Sequence, residues 1–267
     1  MFGPETLSED AFLGGRLSVL QPRAGFRAAM DAVLLAAACP ARSGERVLEL
    51  GCGAGVASLC LGARVPGLAL AGLELQPDYA ALARHNGARA GQDFEVFEGD
   101  LAAPPAALRA RSFDHVIANP PYFAHPGAAA ADTGREVAQR EATPLLAWVQ
   151  TGLKRLVNGG HLTLILRADR LPDALAAMGP GAGSVMVRPI AARAGREAGR
   201  VLVLLRKGGR GQFRLLAPFH MHAAAHHLRD GEDLSDPARA ILRDGAPLVW
   251  PRQGGAAVSS PLAASGA

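Results

Sequence analysis

Asn119-Pro120-Pro121-Tyr122 combines groups that can make a usable nucleophile of a poor one. A planar exocyclic amine or amide nitrogen has its lone pair delocalised into a ring or carbonyl. A site improves it by accepting hydrogen bonds from both N–H groups while fixing the nitrogen in place. Asn119 offers a side-chain carbonyl for one N–H, and the backbone C=O of Pro120 can take the other. Pro120 and Pro121 stiffen the turn and bring no N–H of their own. Tyr122 supplies a flat face for stacking. An ordinary proline turn after a strand would use the same residues, so the reading depends on what lies upstream.

Upstream, the short apolar strand Arg46-Val47-Leu48-Glu49-Leu50 runs into Gly51-Cys52-Gly53-Ala54-Gly55, and a helix over residues 56–63 follows. Strand, glycine turn and helix bring backbone close to a nucleotide-like ligand, and Gly51, Gly53 and Gly55 permit that approach. The acid two residues before the turn and the G-x-G-x-G spacing differ from dinucleotide sites. Glu49 suits a ligand with a positive centre or amino group, as S-adenosylmethionine has. Glu74, ending a strand over residues 68–73, can take both hydroxyls of a ribose. Asp100, ending a third strand, can accept from an adenine amine, with the N–H of Leu101 nearby. Singly, each has a plainer reading as a turn or a helix cap. Together they fall in order at the carboxyl ends of expected strands, where open parallel sheets bind ligands. Cys52 is expected to be a small residue lining this pocket.

These residues must be held by a sheet. Beyond the strands already named, the pattern predicts strands over 113–118, 161–166, 184–190 and 200–205. Helices are expected over 27–38, Pro77–Arg89, 144–156 and 171–178, with Asp31 near the start of the first. Such alternation argues for an α/β, Rossmann-like, doubly wound and mostly parallel sheet. Val201-Leu202-Val203-Leu204-Leu205 is apolar throughout, as a strand buried on both faces should be. Residues 1–252 are expected to form a single domain with a short lead-in over 1–45. Residues 253–267 read as a disordered tail, and 124–143, with Arg135 and Arg140, as a lid or substrate loop.

Composition narrows the classes. Three cysteines in 267 residues form no metal-ligand pair and favour a reducing, cytoplasmic setting. No metal-ligand spacing is found, and His220, His222, His226 and His227 look like a polar connector. The start lacks a basic region followed by an apolar one, and no apolar run reaches a membrane span. The net charge is +4, and Lys154 and Lys207 are the only lysines. Arg188, Arg193, Arg196, Arg200, Arg206, Lys207, Arg210 and Arg214 face a single acid in their stretch, Glu197. The group is either a phosphate-neutralising cluster or a solvated face.

Glu49 to Gly55 and Asn119 to Tyr122 together resemble class I S-adenosylmethionine-dependent methyltransferases of the amino-methylating kind. The lead-in Phe26-Arg27-Ala28-Ala29-Met30-Asp31-Ala32-Val33-Leu34-Leu35, with Phe123, Arg140-Glu141 and Arg206-Lys207, is similar to bacterial tRNA (valine) adenine-N6 methyltransferases. The resemblance covers roughly residues 15 to 250. It implies a seven-stranded sheet and an RNA substrate, a tRNA adenine beside the anticodon, unstacked into the pocket. Asn119, Pro120, Pro121 and Tyr122 would hold the adenine amine. Glu49, Gly51, Cys52, Gly53, Gly55, Glu74, Asp100 and Leu101 would hold the cofactor, and Asp31 would lie over its methionine end. Ala124 stands where that pattern has a basic residue. Two alternatives stay open. Methyltransferases that modify a glutamine of release factors use the same four residues, but normally behind a longer helical domain. A cofactor-bound RNA-binding protein without catalysis is the other.

Overall fold

A computed structural model of the chain describes residues 2–121, 144–224 and 233–252. Its main sheet contains β3 (Arg46–Leu50), β4 (Ala69–Glu74), β5 (Phe94–Glu98), β6 (Phe113–Ala118), β7 (Leu156–Arg167), β8 (Ala182–Ala191) and β9 (Ala198–Lys207). The two-residue strands β10 (Arg214–Leu215) and β11 (Phe219–His220) complete it. Across the sheet the order is β10-β8-β9-β7-β6-β3-β4-β5, with β11 also on β8. The pairs from β5 to β7 are parallel, whereas β9 runs antiparallel to both β7 and β8. The expected seven strands are therefore the frame, and the two extra strands are short additions at one margin. The order reverses between β3 and β6, so a crevice opens at their carboxyl ends.

Two apolar layers cover the sheet. On one face lie α1 (Met30–Ala38), α2 (Val56–Arg64) and α3 (Pro77–Arg89), with Leu34, Leu35, Leu59, Leu61 and Ala83 in their core. On the other lie α4 (Ala106–Arg109), α5 (Leu145–Arg155) and α6 (Leu171–Ala177), packed through Leu108, Trp148, Val149, Leu153 and Ala174. The β-strands read as apolar runs because they are buried from both sides. Among the described residues, no helix is long and apolar enough to cross a membrane.

Three elements depart from the sequence pattern. A hairpin, β1 (Leu7–Phe12) with β2 (Leu17–Pro22), precedes the sheet as a separate two-stranded unit. Its first strand is half exposed and polar, which hides the alternation that β2 shows through buried Leu17, Val19 and Gln21. The first helix starts at Met30, not at residue 27. The hairpin explains this: Gln21 exchanges hydrogen bonds with both the N–H and the C=O of Ala28, at 2.8 and 3.0 Å, and Arg27 is drawn to Asp10 and to the Pro22 carbonyl. A last helix, α7 (Asp236–Asp244), is capped by the Ser235 hydroxyl. The strand expected over 161–166 is longer: β7 starts at Leu156 and runs through Asn158-Gly159-Gly160 with a register shift against β6.

Candidate functional site

The carboxyl edge of the parallel strands gathers most of the residues singled out by sequence. β3 and β6 are neighbours with Leu50 beside Ala118, so Gly51 and Asn119 leave adjacent strands about 4.8 Å apart. β4 lies on the other side of β3, with Leu50 beside Leu73, which puts Glu74 next to the glycine turn. Asp100 follows β5 at the outer end of the same edge.

The turn after β3 is shaped by close approach. Gly51 has φ +64°, and a Cβ there would stand 2.5 Å from the ring of Trp148 on α5. Gly53 has φ +54°, and a Cβ there would meet only the Phe26 ring, at 3.5 Å. The first glycine thus lets the chain cross over α5, and the second leaves backbone facing the crevice. The Cys52 side chain packs into the turn. Its sulfur lies against Gly72 of β4, and it is 5% exposed. Burial and the nearby carboxylates of Glu49 and Glu74 raise its thiol well above the usual range, so it is packing, not a nucleophile.

The two glutamates hold the turn from both sides. Glu49 Oε2 accepts from the Ser58 N–H at 2.9 Å and from the Ser58 hydroxyl at 2.6 Å, tying the end of β3 to the first turn of α2. Burial pushes its carboxyl up to about 8, against the opposing pull of the two Ser58 hydrogen bonds. Glu74 Oε2 accepts from the Gly53 N–H at 2.8 Å, and Oε1 from the Gln76 N–H at 3.0 Å. Asp100 Oδ1 accepts from the Ala102 N–H at 2.8 Å and is exposed, so it also makes a turn of its own. Leu101 is buried, and its carbonyl accepts from the Thr151 hydroxyl at 3.0 Å. Asp31 sits at the second position of α1 rather than at its cap, and its carboxylate pairs with Arg200 at 2.7 Å. That pairing ties α1 to β9 at the carboxyl edge of the sheet.

On the acceptor side, Asn119 Oδ1 is buried and meets no hydrogen-bond donor among the described residues. A buried carbonyl without a donor costs roughly 1–3 kcal/mol, and here it lies at the mouth of the crevice beside the glycine turn. Pro120 is buried behind it and Pro121 half-buried. Tyr122, Phe123, Arg135, Arg140 and Glu141 lie outside the described residues, as do His226, His227 and the tail over 253–267. Among the described residues, no group of His, Cys, Asp or Glu has the arrangement of a metal site.

Two side chains with no role assigned from sequence join the site. Phe26, 39% exposed, lies over Gly53, and its carbonyl is held by the Tyr79 hydroxyl at 2.9 Å. Leu75, 42% exposed, follows Glu74 at the same edge. Neither has a sequence signal beyond being apolar beside a motif. Only the folded chain brings them to the carboxyl edge beside the turn.

These residues fit S-adenosylmethionine. Bare backbone at Gly53, carboxylates at Glu74 and Asp100 and apolar faces at Phe26 and Leu75 match its ribose hydroxyls, adenine amine and flat base. The comparisons agree. The methyltransferase small-domain model matches residues 29–174. A tRNA1(Val) (adenine(37)-N6)-methyltransferase of Dickeya chrysanthemi is 30% identical over 205 residues, covering 74% of this chain and 80% of its own length. One from Shewanella sp. strain MR-4 is 30% identical over 192 residues, covering 68% and 79%. Among solved structures, a predicted O-methyltransferase from Agrobacterium tumefaciens superposes with TM-score 0.66 at 27% identity, over 82% of this chain and 98% of that one. A candidate class I methyltransferase from Listeria monocytogenes shares the fold, with TM-score 0.50 at 15% identity over 70% and 62%. More than half of the chain is thus matched on a sheet whose crevice suits the methyl donor: the chain belongs to the methyltransferase small-domain family, as a class I enzyme with S-adenosyl-L-methionine as its cofactor.

Proposed function

We propose that this chain methylates the exocyclic N6 of an adenine in RNA, the substrate being a tRNA and the base lying beside the anticodon. The observation that carries the reading is the buried Asn119 Oδ1 with no described donor, at the end of β6 and next to the glycine turn. An amine N–H entering the crevice supplies the donor it lacks. The name shared by the Dickeya and Shewanella relatives supports adenine N6 in a tRNA. Adenine offers an N–H pair to Asn119 Oδ1 and the Pro120 carbonyl, which together hold the nitrogen's lone pair toward the donor side. Tyr122 is proposed to stack on the base.

The bound cofactor supplies an electrophilic methyl group on a sulfonium. The protein's part is orientation. Asn119 fixes the amine, Trp148 and Gly51 set the floor of the turn, and Phe26 and Leu75 exclude water from the flanks. No strong base is required, because the nitrogen loses its proton after it has gained the methyl group. Orienting hydrogen bonds of this kind are worth about 10²- to 10³-fold in rate.

The test is to incubate the protein with methyl-labelled S-adenosylmethionine and unmodified tRNA or recombinant release factor, then digest and identify the product. Label in N6-methyladenosine supports the proposal. Label in methylglutamine moves the acceptor to protein, and label on a hydroxyl oxygen favours the activity predicted for the Agrobacterium relative.

A further inference from the structure

The arginine-rich stretch between residues 188 and 214 is not one cluster in space. β9 runs antiparallel to β7, with Arg200 beside Arg167 and Arg206 beside His161. Arg193, Arg196 and Arg200 therefore stand at the carboxyl edge with the candidate site. Arg206, Lys207 and Arg210 stand at the opposite edge, about six residues or roughly 20 Å away.

The two edges differ in how their cations are used. At the site edge four arginines have carboxylate partners: Arg167 with Asp169, Arg170 with Asp173, Arg193 with Asp233 and Arg200 with Asp31, at 2.9, 3.0, 2.5 and 2.7 Å. At the opposite edge Arg46 and Arg111 are paired with carboxylates, but three further cations bond backbone carbonyls. Arg206 Nε donates to Gly159 O at 3.0 Å, Lys207 Nζ to Leu156 O at 2.7 Å, and Arg155 Nη1 to Leu108 O at 3.2 Å. A carbonyl holds a cation in place without neutralising it. Arg109 and Lys154 are exposed beside them, and Arg210 follows the turn after β9. None of these six forms an ion pair with a carboxylate among the described residues. The neighbouring Asp114 and Glu95 are engaged by Arg46 and Arg111.

Helix α5 joins the two edges. It begins at the site edge and ends in Lys154-Arg155, a length of about 16 Å. Leu146, Gln150 and Lys154, four residues apart, form its more exposed stripe, and the helix contains no acid. We infer that the edge formed by the amino-terminal ends of β6 and β7 and the carboxyl-terminal end of β9, reached along α5, is a phosphate-contacting surface for the body of the RNA whose target base enters the crevice. The inference rests on the RNA reading above and adds a second, remote contact to it. The bound chemistry is backbone phosphate, which needs several uncompensated cations and no base contact. A stem of about five base pairs, at about 3.4 Å per pair, ends short of this edge, whereas a whole tRNA extends past it.

The test compares wild type with Arg109→Glu/Lys154→Glu/Arg210→Glu and with a control of equal charge change, Arg16→Glu/Arg89→Glu/Arg239→Glu. Affinity for unmodified full-length tRNA and for a minimal anticodon stem-loop is measured across a salt series, with S-adenosylhomocysteine titration as the check on folding. The expected result is a loss of at least tenfold for full-length tRNA. The salt slope should fall by about two to three, roughly one for each phosphate that no longer meets a cation. Stem-loop and cofactor affinity should stay within twofold, and the control variant should keep the wild-type slope. Equal losses for both RNAs, or equal losses in the control, would reduce the effect to general charge and overturn the inference. An unchanged tRNA affinity overturns it while leaving the proposed reaction standing. A wild-type protein that binds neither RNA overturns both.

Discussion

The two halves of the crevice are built in opposite ways. On the donor side, between β3 and β4, both carboxylates are hydrogen-bonded by the protein itself. Glu49 is bound by Ser58, and Glu74 by Gly53 and Gln76. On the acceptor side, at the end of β6, Asn119 Oδ1 is buried and meets no described donor. The donor half is therefore part of the folding machinery, and its shape exists before any ligand arrives. The acceptor half carries hydrogen-bonding capacity that the described residues do not use, and a substrate can claim it. Residues of the first kind should govern stability and cofactor affinity together, and residues of the second kind should govern turnover alone.

The largest effect should come from Asn119→Ala. Methyl transfer is expected to fall by about 10²- to 10³-fold, with S-adenosylhomocysteine affinity within a few-fold of wild type and the melting temperature unchanged or slightly raised. A variant that retained wild-type turnover would break the acceptor half of the comparison. Gly51→Ala tests the donor half. A left-handed φ and the overlap with Trp148 should together cost about 2–4 kcal/mol of folding stability, read from denaturant unfolding, with cofactor affinity lost alongside it.

Glu49 offers a finer test through pH. Its carboxyl is raised to about 8 by burial, so the folded protein holds this proton more tightly than the unfolded chain does. The resulting stability is fully present below the unfolded value near 4.5 and is lost as pH rises through about 8. Wild-type melting temperature should therefore decline between pH 5 and pH 8.5 by more than that of Glu49→Gln, whose neutral amide can still accept from Ser58. Parallel profiles for the two proteins would show that the carboxyl is not the group responsible. The smallest effect is expected from Phe26→Ala. Losing the ring over Gly53 should weaken S-adenosylhomocysteine binding about three- to tenfold, with little change in unfolding because the side chain is half-exposed. Phe26→Leu should restore most of that affinity.

Much of the fold was legible because buried parallel strands carry apolar runs and the helices between them have clear boundaries. Pro77–Arg89 and Phe113–Ala118 match their sequence expectations residue for residue. The hairpin over β1 and β2 was not legible, since Ser8, Glu9 and Asp10 give its first strand the composition of a loop. α7 was missed as well. It buries just Ala238 and Ile241, with Leu242 half-buried beside them, and its cap, Ser235, is one serine in a polar stretch. Within the site, the family resemblance assigns Asp31 to the cofactor, and only the antiparallel return of β9 shows that Arg200 reaches its carboxylate.

The sequence by itself determined the order of strands and helices, the glycine turn after β3 and the Asn-Pro-Pro turn after β6. Those depend on local backbone preferences and on which residues must be apolar, and both are written in adjacent positions. Only the tertiary structure decided what each polar group is used for. It made backbone clamps of Glu49 and Glu74, turned Cys52 into packing against Gly72, and left Asn119 with an acceptor that no described residue uses. It also divided one run of arginines between two opposite edges. A charge or a hydrogen-bonding group acts through its neighbours in space, and a strand of ten residues separates in space what the sequence keeps together.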